Sequence, residues 1–492
     1  MSMINQLPFY VVGIPLFTAL IIGVLAIVQP KLVRLTGLVG IISGAYASLT
    51  LFLTVQQSGT KYYTFGNWPA PYGIEYSVDT LNALMILLIY AVSLLAYVYS
   101  LRSVIIEIPS NKHGYYYTLY FLLITGLIGI TITGDAFNLY VLYEICALSS
   151  YALLASGGKR ATLATFYYLL IGTVGACFYL IGVAYLFIKT GTLNMGQLFE
   201  HIPSIYFTSS ILVAFIFINV GLFIKMALFP LHGWLPNVYT KAPISTTCLL
   251  APLGTKLSIY ILIRFYFHVF GPEYVFQVLN IQPFMVWLAT LAIIVGSVYA
   301  IFHTNYRSTI AFIIVAEIGY IIGGLWIGHP DSIAASIYHI LADSLMTLSL
   351  FMIAGTVLFY LKSEKTSAFA LTFRQLRITS ISLVVVFASI VGIPPTSGFF
   401  SKMYLIKGAF AMGHYQFIVA LLFSSLASLF IFFRLFEAYF YSKPPEPAPS
   451  IIKEDRLFTL PMIGVSTGII LLGVTFNYWF SVISRIIPVG LR

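Results

Sequence analysis

The chain contains 492 residues, of which 60% are hydrophobic and only 8% are charged, and its mean hydropathy is +0.97. This composition excludes a soluble globular domain and indicates an all-α polytopic membrane protein. The formal net charge of +10 does not indicate nucleic-acid binding, because the basic residues lie in short loops between apolar segments.

Apolar segments of about 20 residues, the length that spans a bilayer, recur along the whole chain. They predict about fourteen transmembrane helices, and the first apolar run lacks a clear cleavage site, which favours a first helix over a removed signal. The predicted helices cover residues 8–29, 35–55, 78–100, 115–133, 137–156, 161–188, 207–229, 243–270, 284–302, 308–327, 333–361, 379–411, 415–441 and 457–484.

The basic residues test this helix count. Of the 25 lysines and arginines, 15 fall in loops on one side of the predicted helices and 4 fall on the other side. Because cytoplasmic loops carry the excess of positive charge, both termini are predicted to lie outside. The predicted location is a cell membrane, plasma or inner, crossed many times.

Two of the predicted helices are interrupted. Helix 7 carries Lys225 followed by Pro230, and helix 12 contains Pro394, Pro395 and Gly398 in the segment "VGIPPTSGFFSK". Proline removes a helix donor and glycine loosens the backbone, so both helices are predicted to be discontinuous and to line a polar interior.

The interrupted helices lie five helices apart and run in opposite directions. Inverted repeats place discontinuous helices at corresponding positions, so helices 4–8 and 9–13 are predicted to form two inverted five-helix repeats. A coincidental pair of proline kinks is the alternative. The predicted organisation is an N-terminal three-helix segment at 1–113, a first repeat at 114–270, a second repeat at 284–441, and a cytoplasmic loop with helix 14 at 442–492.

Four charged residues inside the predicted helices have no opposite charge three or four residues away: Glu144, Lys225, Lys256 and Lys402. A charge at the bilayer centre costs roughly 2.5–3.5 kcal/mol on insertion scales, so each must be neutral, hydrated or paired with another helix. A lysine in a poorly hydrated site can release and rebind a proton. A row of such groups bridged by water would form a proton relay, and purely structural buried pairs are the alternative.

Helices 10 and 11 carry further polar residues. Glu317 lies on helix 10, and His339 and Asp343 lie four residues apart on helix 11. His339 is predicted to be a hydrogen-bonded core residue, because no second His or Cys lies at ligand spacing. Neither a metal site nor a cofactor is predicted for this chain.

The remaining intramembrane charges have local interpretations. Arg264 and Lys407 are predicted to extend outward towards the interface. Arg434 and Glu437 are spaced three residues apart, which favours a local ion pair on one helix.

Several segments together resemble a known family. "GDAFNLYVLYEICALSSYALL", "KMALFPLHGWLPNVYTKAPISTT", "TKLSIYILIR", "YRSTIAF" and "VGIPPTSGFFSK" are similar to the antiporter-like subunits. That family is shared by multisubunit cation/proton (Mrp-type) antiporters, respiratory complex I and membrane-bound hydrogenases. The resemblance covers roughly helices 3–13, and residues 68–88 most resemble the D-type subunits of the Mrp-type antiporters.

The resemblance implies roles for the buried charges. Glu144 matches a glutamate on helix 5 that pairs with the lysine matched by Lys225. Lys256 matches a bridging lysine on helix 8, and Lys402 matches the terminal lysine on the broken helix 12. The implied activity is proton translocation along a hydrated central axis, coupled to neighbouring subunits.

Helix 11 departs from the family pattern, which usually shows histidine and lysine as "HxxxK". The matching positions are Asp343 and Thr347. Asp343 or His339 could take over the relay, Glu317 could carry the proton from the slot equivalent to Glu144, or a carboxylate could bind sodium. His232, within "FPLHGWLP", joins these three as a candidate relay or cation-site residue.

The sequence therefore predicts a proton- and cation-translocating subunit of a multisubunit monovalent cation (Na+)/H+ antiporter. Its predicted partners are other membrane subunits, H+, Na+ and lipids. One alternative is the same fold inside a redox complex, such as an NADH-quinone oxidoreductase or a membrane-bound hydrogenase. The other is a structural paralogue that has lost transport, which Thr347 suggests.

Overall fold

Long apolar segments form α-helices throughout the computed structural model, which describes residues 6–366, 369–441, 452–488 and 491. A helix bonds its own backbone groups, which is required where no water is present. The helices are α1 Leu7–Val28, α2 Val33–Ser58, α3 Thr80–Glu107, α4 His113–Ile132, α5 Ala136–Ala155, α6 Lys159–Thr190, α7 Met195–His201, α8 Ser209–Met226, α9 Trp234–Lys241, α10 Ile244–His268, α11 Gln282–Phe302, α12 Tyr306–Trp326, α13 Pro330–Leu361, α14 Phe369–Gln375, α15 Arg377–Val391, α16 Ser397–Ala411, α17 Tyr415–Tyr441, α18 Arg456–Val474 and α19 Phe476–Ser484.

The predicted all-α membrane architecture is confirmed. Within the described residues, 13 helical segments are long and apolar enough to cross a membrane. The broken helix 12, made of α15 and α16, is too short in each half to count among them and brings the total to the predicted fourteen. The domain boundaries stay a prediction, and residues 442–451 of the predicted loop lie outside the described residues.

Both predicted helix breaks are present. α8 ends at Met226, Ala227 adopts a left-handed φ of 62°, and α9 begins only after Pro230. α15 and α16 are separated by residues 392–396, which include two prolines. Gly398, at the start of α16, lies against the backbone carbonyl of Ser389, where a side chain would not fit. The two halves of this helix therefore stay in contact across the break.

The hydropathy pattern did not predict the shorter elements. Strands β1 (Lys61–Thr64) and β2 (Glu75–Val78) form an antiparallel hairpin in the loop before α3, with Lys61 opposite Val78. The predicted helix 14 is divided into α18 and α19 at Thr475. A 20-residue apolar window does not detect elements of this length.

The most deeply buried helices carry intramembrane charges. In α10 and α12, 94% and 89% of the most apolar 18-residue window is buried, against 39% in α6. α10 packs against α3 and α13, and α12 packs against α11 and α13. The central helices therefore contact protein on nearly all sides, while α6 presents one face to lipid.

Two carboxylates fix the beginnings of buried helices from distant parts of the chain. Glu107, at the end of α3, accepts hydrogen bonds of 2.7 and 2.9 Å from the first two amides of α10. Glu454 accepts bonds of 2.7 and 3.2 Å from two amides in the first turn of α15. The first amides of a helix lack internal partners and attract negative charge, so these contacts stabilise both helices.

The topology can be tested by cysteine labelling. In a variant without the native cysteines, we expect Lys362→Cys, between α13 and α14, to react with an impermeant thiol reagent only from inside. Phe207→Cys, which replaces a side chain that is 91% exposed before α8, should react only from outside. Reaction of both positions from the same side would contradict the fourteen-helix topology.

Candidate functional site

Lys225 lies in the last turn of α8, with only 5% of its surface exposed. The C-terminal end of a helix carries partial negative charge, so the break after Met226 favours a cation here. The Lys225 Nζ lies 4.6 Å from the centroid of the Tyr143 ring, a cation–π contact. The Tyr143 hydroxyl in turn shares a 2.8 Å hydrogen bond with Ser258 on α10.

Glu144, on α5, is close to Lys225 without touching it. The two charges interact electrostatically, but they form no direct ion pair in the described part of the chain. The buried Glu144 Oε1 has no hydrogen-bond partner among the described residues. Glu144 and Lys225, the pair implied by the family resemblance, are therefore close to each other here but are not in direct contact.

The intramembrane charges from Glu144 to Lys402 form a row across the helices. The middle of this row is a direct ion pair between α10 and α13. The Lys256 Nζ lies 2.8 Å from Asp343 Oδ2, and the two side chains are 0% and 2% exposed. The Thr347 hydroxyl donates to Asp343 Oδ1 at 2.9 Å and accepts from the Lys256 Nζ at 3.4 Å. A lysine at position 347 would place a second cation beside Lys256. Asp343 and Thr347, the two residues that depart from the family pattern on helix 11, are therefore compatible with each other and with Lys256.

His339 links three helices one turn away from Asp343 on α13. Its Nε2 lies 2.5 Å from Glu317 Oε2 on α12, and its Nδ1 is hydrogen-bonded to the Ser401 hydroxyl on α16 at 2.8 Å. His339 and Glu317 are both buried. The histidine is thus a hydrogen-bonded core residue, as its sequence context predicts, and its partner is a carboxylate.

Lys402 follows Ser401 directly and is also buried. Its Nζ donates to the carbonyl of Ile390, at the end of α15, and to the Ser425 hydroxyl on α17 at 2.9 Å. It also lies 5.1 Å from the centroid of the Tyr320 ring. The break between α15 and α16 therefore supplies the carbonyl oxygen that stabilises this ammonium.

His232 lies apart from this row. It is half-buried between α8 and α9, beside a cavity of about 330 Å³ lined also by Thr240, Lys241 and Ser308. Its Nδ1 is buried and has no hydrogen-bond partner within the described part of the chain. The cavity opens towards Lys241, which belongs to the loops predicted to be cytoplasmic.

Two local interpretations were wrong. Arg264 does not reach the interface as an unpaired charge: it is buried and forms an ion pair with Asp79, the residue that caps α3. Arg434 does not pair with Glu437 but donates to the carbonyls of residues 301 and 303, both at 2.8 Å. Lys407 does extend outward, with a side chain that is 64% exposed and bonded to Asp331 at 2.8 Å.

Sequence reasoning missed the uncharged members of the site. Ser401 and Ser425 bind His339 and Lys402, and Tyr143 lies under the Lys225 ammonium. Serine and tyrosine are frequent in the apolar helices of this chain, so their presence alone carries no signal. In the sequence, Tyr143 and Ser401 are marked only because each stands directly before an intramembrane charge, Glu144 and Lys402. Ser425, within α17, carries no such mark.

Comparisons with known proteins identify the family to which this chain belongs. Residues 133–428 match the family described as "NADH:quinone oxidoreductase/Mrp antiporter, TM". The N subunit of the NADH-quinone oxidoreductase of Desulforudis audaxviator is 35% identical, over 99% of this chain and 99% of its own length. The D-type subunit of the Na(+)/H(+) antiporter of Bacillus subtilis is 30% identical, over 89% of this chain and 88% of its own length.

The fold has a close counterpart among solved structures. A chain of the Mrp complex from Dietzia sp. DQ12-45-1b superposes with a TM-score of 0.88, at 22% identity, over 98% of this chain and 97% of that chain. The family match covers more than half of this chain. The chain therefore belongs to the NADH:quinone oxidoreductase/Mrp antiporter transmembrane family.

The central ion pair has a measurable effect on stability. Asp343→Leu strands the Lys256 ammonium in a buried site, so we expect it to lower the free energy of unfolding by about 3–5 kcal/mol. The double variant Lys256→Met/Asp343→Leu should recover most of that loss, because it buries no charge. Denaturation of the detergent-solubilised protein measures both.

The control is Asp331→Leu, which breaks the exposed pair with Lys407 and should cost at most about 1 kcal/mol. A double variant that is less stable than Asp343→Leu alone would contradict the assignment of Asp343 as the partner of Lys256.

Proposed function

We propose that this member of the family is the proton- and cation-translocating membrane subunit of a multisubunit monovalent cation (Na+)/H+ antiporter. The observation that carries the proposal is the set of ionisable groups buried across the membrane helices, with Lys256 and Asp343 in direct contact at its middle. Buried charges are costly in a membrane and mark ion or proton pathways. The name of the Bacillus subtilis relative supports sodium as the cation.

The second half of the row offers a nearly continuous path. A proton that arrives on Asp343 neutralises the carboxylate, and Lys256 then has no counter-ion and can release its own proton. Asp343 lies one turn from His339, which contacts both Glu317 and Ser401. Glu317 and Lys402 interact electrostatically, so a water between them would complete the path along side chains of α13, α12 and α16.

The first half is more open. Glu144 and Lys225 form no ion pair among the described residues, and Lys225 is linked to α10 through the ring of Tyr143, whose hydroxyl is bonded to Ser258. Water must therefore bridge Glu144, Lys225 and Lys256 if protons are to pass. The cavity beside His232 includes Lys241, which belongs to the loops predicted to be cytoplasmic, and this supports a role for His232 in hydrating this half.

The partners follow from this role. The chain carries no redox motif of its own, so it has to work beside other membrane subunits in a cell membrane, with lipids around the assembly. The relatives whose names describe subunits of larger enzymes and antiporters support such an assembly.

One relative favours a second candidate function. The chain that is 35% identical over nearly its whole length is called an NADH-quinone oxidoreductase subunit. In that case the same relay would be driven by electron transfer in neighbouring subunits. Purification of the intact complex distinguishes the two, because a redox complex would contain flavin, iron–sulfur or nickel centres and an antiporter would not.

The relay is tested by Glu144→Ala and Lys225→Ala. We expect each to abolish pH-gradient-coupled cation uptake in vesicles while the complex still assembles. Their matched controls are Glu200→Ala and Lys189→Ala, which replace exposed residues of the same types and should leave uptake unchanged. Normal uptake by both relay variants would favour the structural paralogue instead.

Lys402 is tested by a change that keeps its charge. Arginine holds its proton at any physiological pH, so a residue that must release a proton cannot be replaced by it. We expect Lys402→Arg to be nearly as inactive as Lys402→Ala in the same uptake assay at matched expression. Near-normal uptake by Lys402→Arg, with none by Lys402→Ala, would show that only a permanent positive charge is needed.

A further inference from the structure

A polar stripe runs along α10 from the centre of the membrane to one of its faces. Lys256, Tyr260, Arg264 and His268 follow one another at intervals of four residues. Side chains four residues apart in a helix are neighbours on one side, so the stripe covers about 18 Å of helix length. It begins at the ion pair with Asp343 and ends at the last residue of α10.

Tyr260 is the first step beyond Lys256. Its hydroxyl is buried, donates to the Thr131 carbonyl at 2.6 Å and accepts from Asn82 Nδ2 at 3.0 Å. Asn82 also exchanges hydrogen bonds of 3.0 and 3.2 Å with Asp79 at the start of α3. Hydrogen bonds therefore connect the Tyr260 hydroxyl, through Asn82, to the cluster at the membrane face.

That cluster surrounds Asp79. Its carboxylate forms an ion pair with Arg264, and the Nε2 of His268 lies 3.7 Å from the same oxygen. Burial disfavours the charge of Asp79, but Arg264, His268 and the backbone amide of Asn82 together outweigh that cost and hold the pKa of the carboxyl below its ordinary value. Asp79 and Arg264 are thus fixed charges that position their neighbours and do not exchange protons themselves.

A cavity connects this cluster to the outside of the helix bundle. Its volume is about 280 Å³, and Asp79, Arg264 and His268 line it together with Glu75 and Ser77 of β2. The His268 side chain is 38% exposed, and its Nδ1 has no hydrogen-bond partner among the described residues. An imidazole ring has two nitrogens, so it can accept a proton on one side and release one on the other.

We propose that Tyr260 and His268 form the outward leg of the proton path, which leads from Lys256 to water in this cavity. The proposal rests on the proposed function, since it gives the relay an opening on the face opposite the His232 cavity. The step from Lys256 to Tyr260 covers one helical turn, about 6 Å, which one water molecule with two hydrogen bonds can bridge. The step from Tyr260 to His268 covers two turns, about 12 Å, and needs a short chain of water molecules past Arg264. Asp79 and its hydrogen-bond partner Asn82 hold the imidazole and the hydroxyl in place.

The first test removes one oxygen atom. In Tyr260→Phe the ring still fills its site and Asn82 still donates to the Thr131 carbonyl at 2.6 Å. We expect at least a tenfold loss of pH-gradient-coupled cation uptake by vesicles that contain the intact complex. The matched control is Tyr266→Phe: Tyr266 is equally buried on α10 and bonds to Asn219, but lies off the stripe. Its uptake should stay within twofold of the native rate.

The second test uses the cavity. His268→Ala should lower uptake, and added imidazole should restore it at least fivefold when supplied on the side to which the cavity opens. Imidazole on the opposite side should have no effect. A merely structural role of His268 would not give a rescue that depends on the side.

The outcomes separate this path from the proposed function. Normal uptake by Tyr260→Phe beside an inactive Lys256→Ala would overturn the outward path and leave the relay intact. Equal losses in Tyr260→Phe and Tyr266→Phe would also overturn it, because packing alone would then explain the effect. Normal uptake by Lys256→Ala would overturn the proposed function itself.

Discussion

An ammonium and a carboxylate 2.8 Å apart, far from water, hold α10 and α13 together at the centre of this molecule. Breaking such a pair leaves an uncompensated charge, so the two helices must keep their register. The same constraint acts on the other buried ionisable groups, most of which meet it by different means, whereas Glu144 Oε1 has no hydrogen-bond partner among the described residues. Lys225 has the end of a half-helix and an aromatic ring, Lys402 has a carbonyl from a broken helix, and His339 has a carboxylate.

The two halves of the chain meet this constraint unequally. Beyond Asp343, hydrogen bonds connect Glu317, His339 and Ser401, and Glu317 also interacts electrostatically with Lys402. On the other side, Glu144 and Lys225 lie near each other without contact. Directly bonded groups transfer protons within a fixed geometry, whereas separated groups depend on water. In the proposed relay, small movements of the helices around Lys225 therefore have the greater influence.

Local sequence patterns predicted what depends on neighbours along the chain. Hydropathy located the membrane helices, and the prolines located both breaks, because each acts on the segment that contains it. The pattern also identified Lys256 as a charge that needs a partner from another helix. It could not predict that Asp343 is this partner, or that Asp79 holds Arg264, since these residues belong to helices brought together only by folding. The serines of the site were missed for the same reason.

The contact between Glu107 and α10 has a consequence for biosynthesis. The carboxylate ends α3, but its hydrogen-bond donor Ile244 lies 137 residues later in the chain. During synthesis Glu107 therefore lacks these donors, and stays hydrated at the membrane surface, until the chain has been translated as far as residue 244. The end of α3 is therefore fixed to α10 only late in membrane insertion. A chain truncated before residue 244 would lack the two amides that bind Glu107.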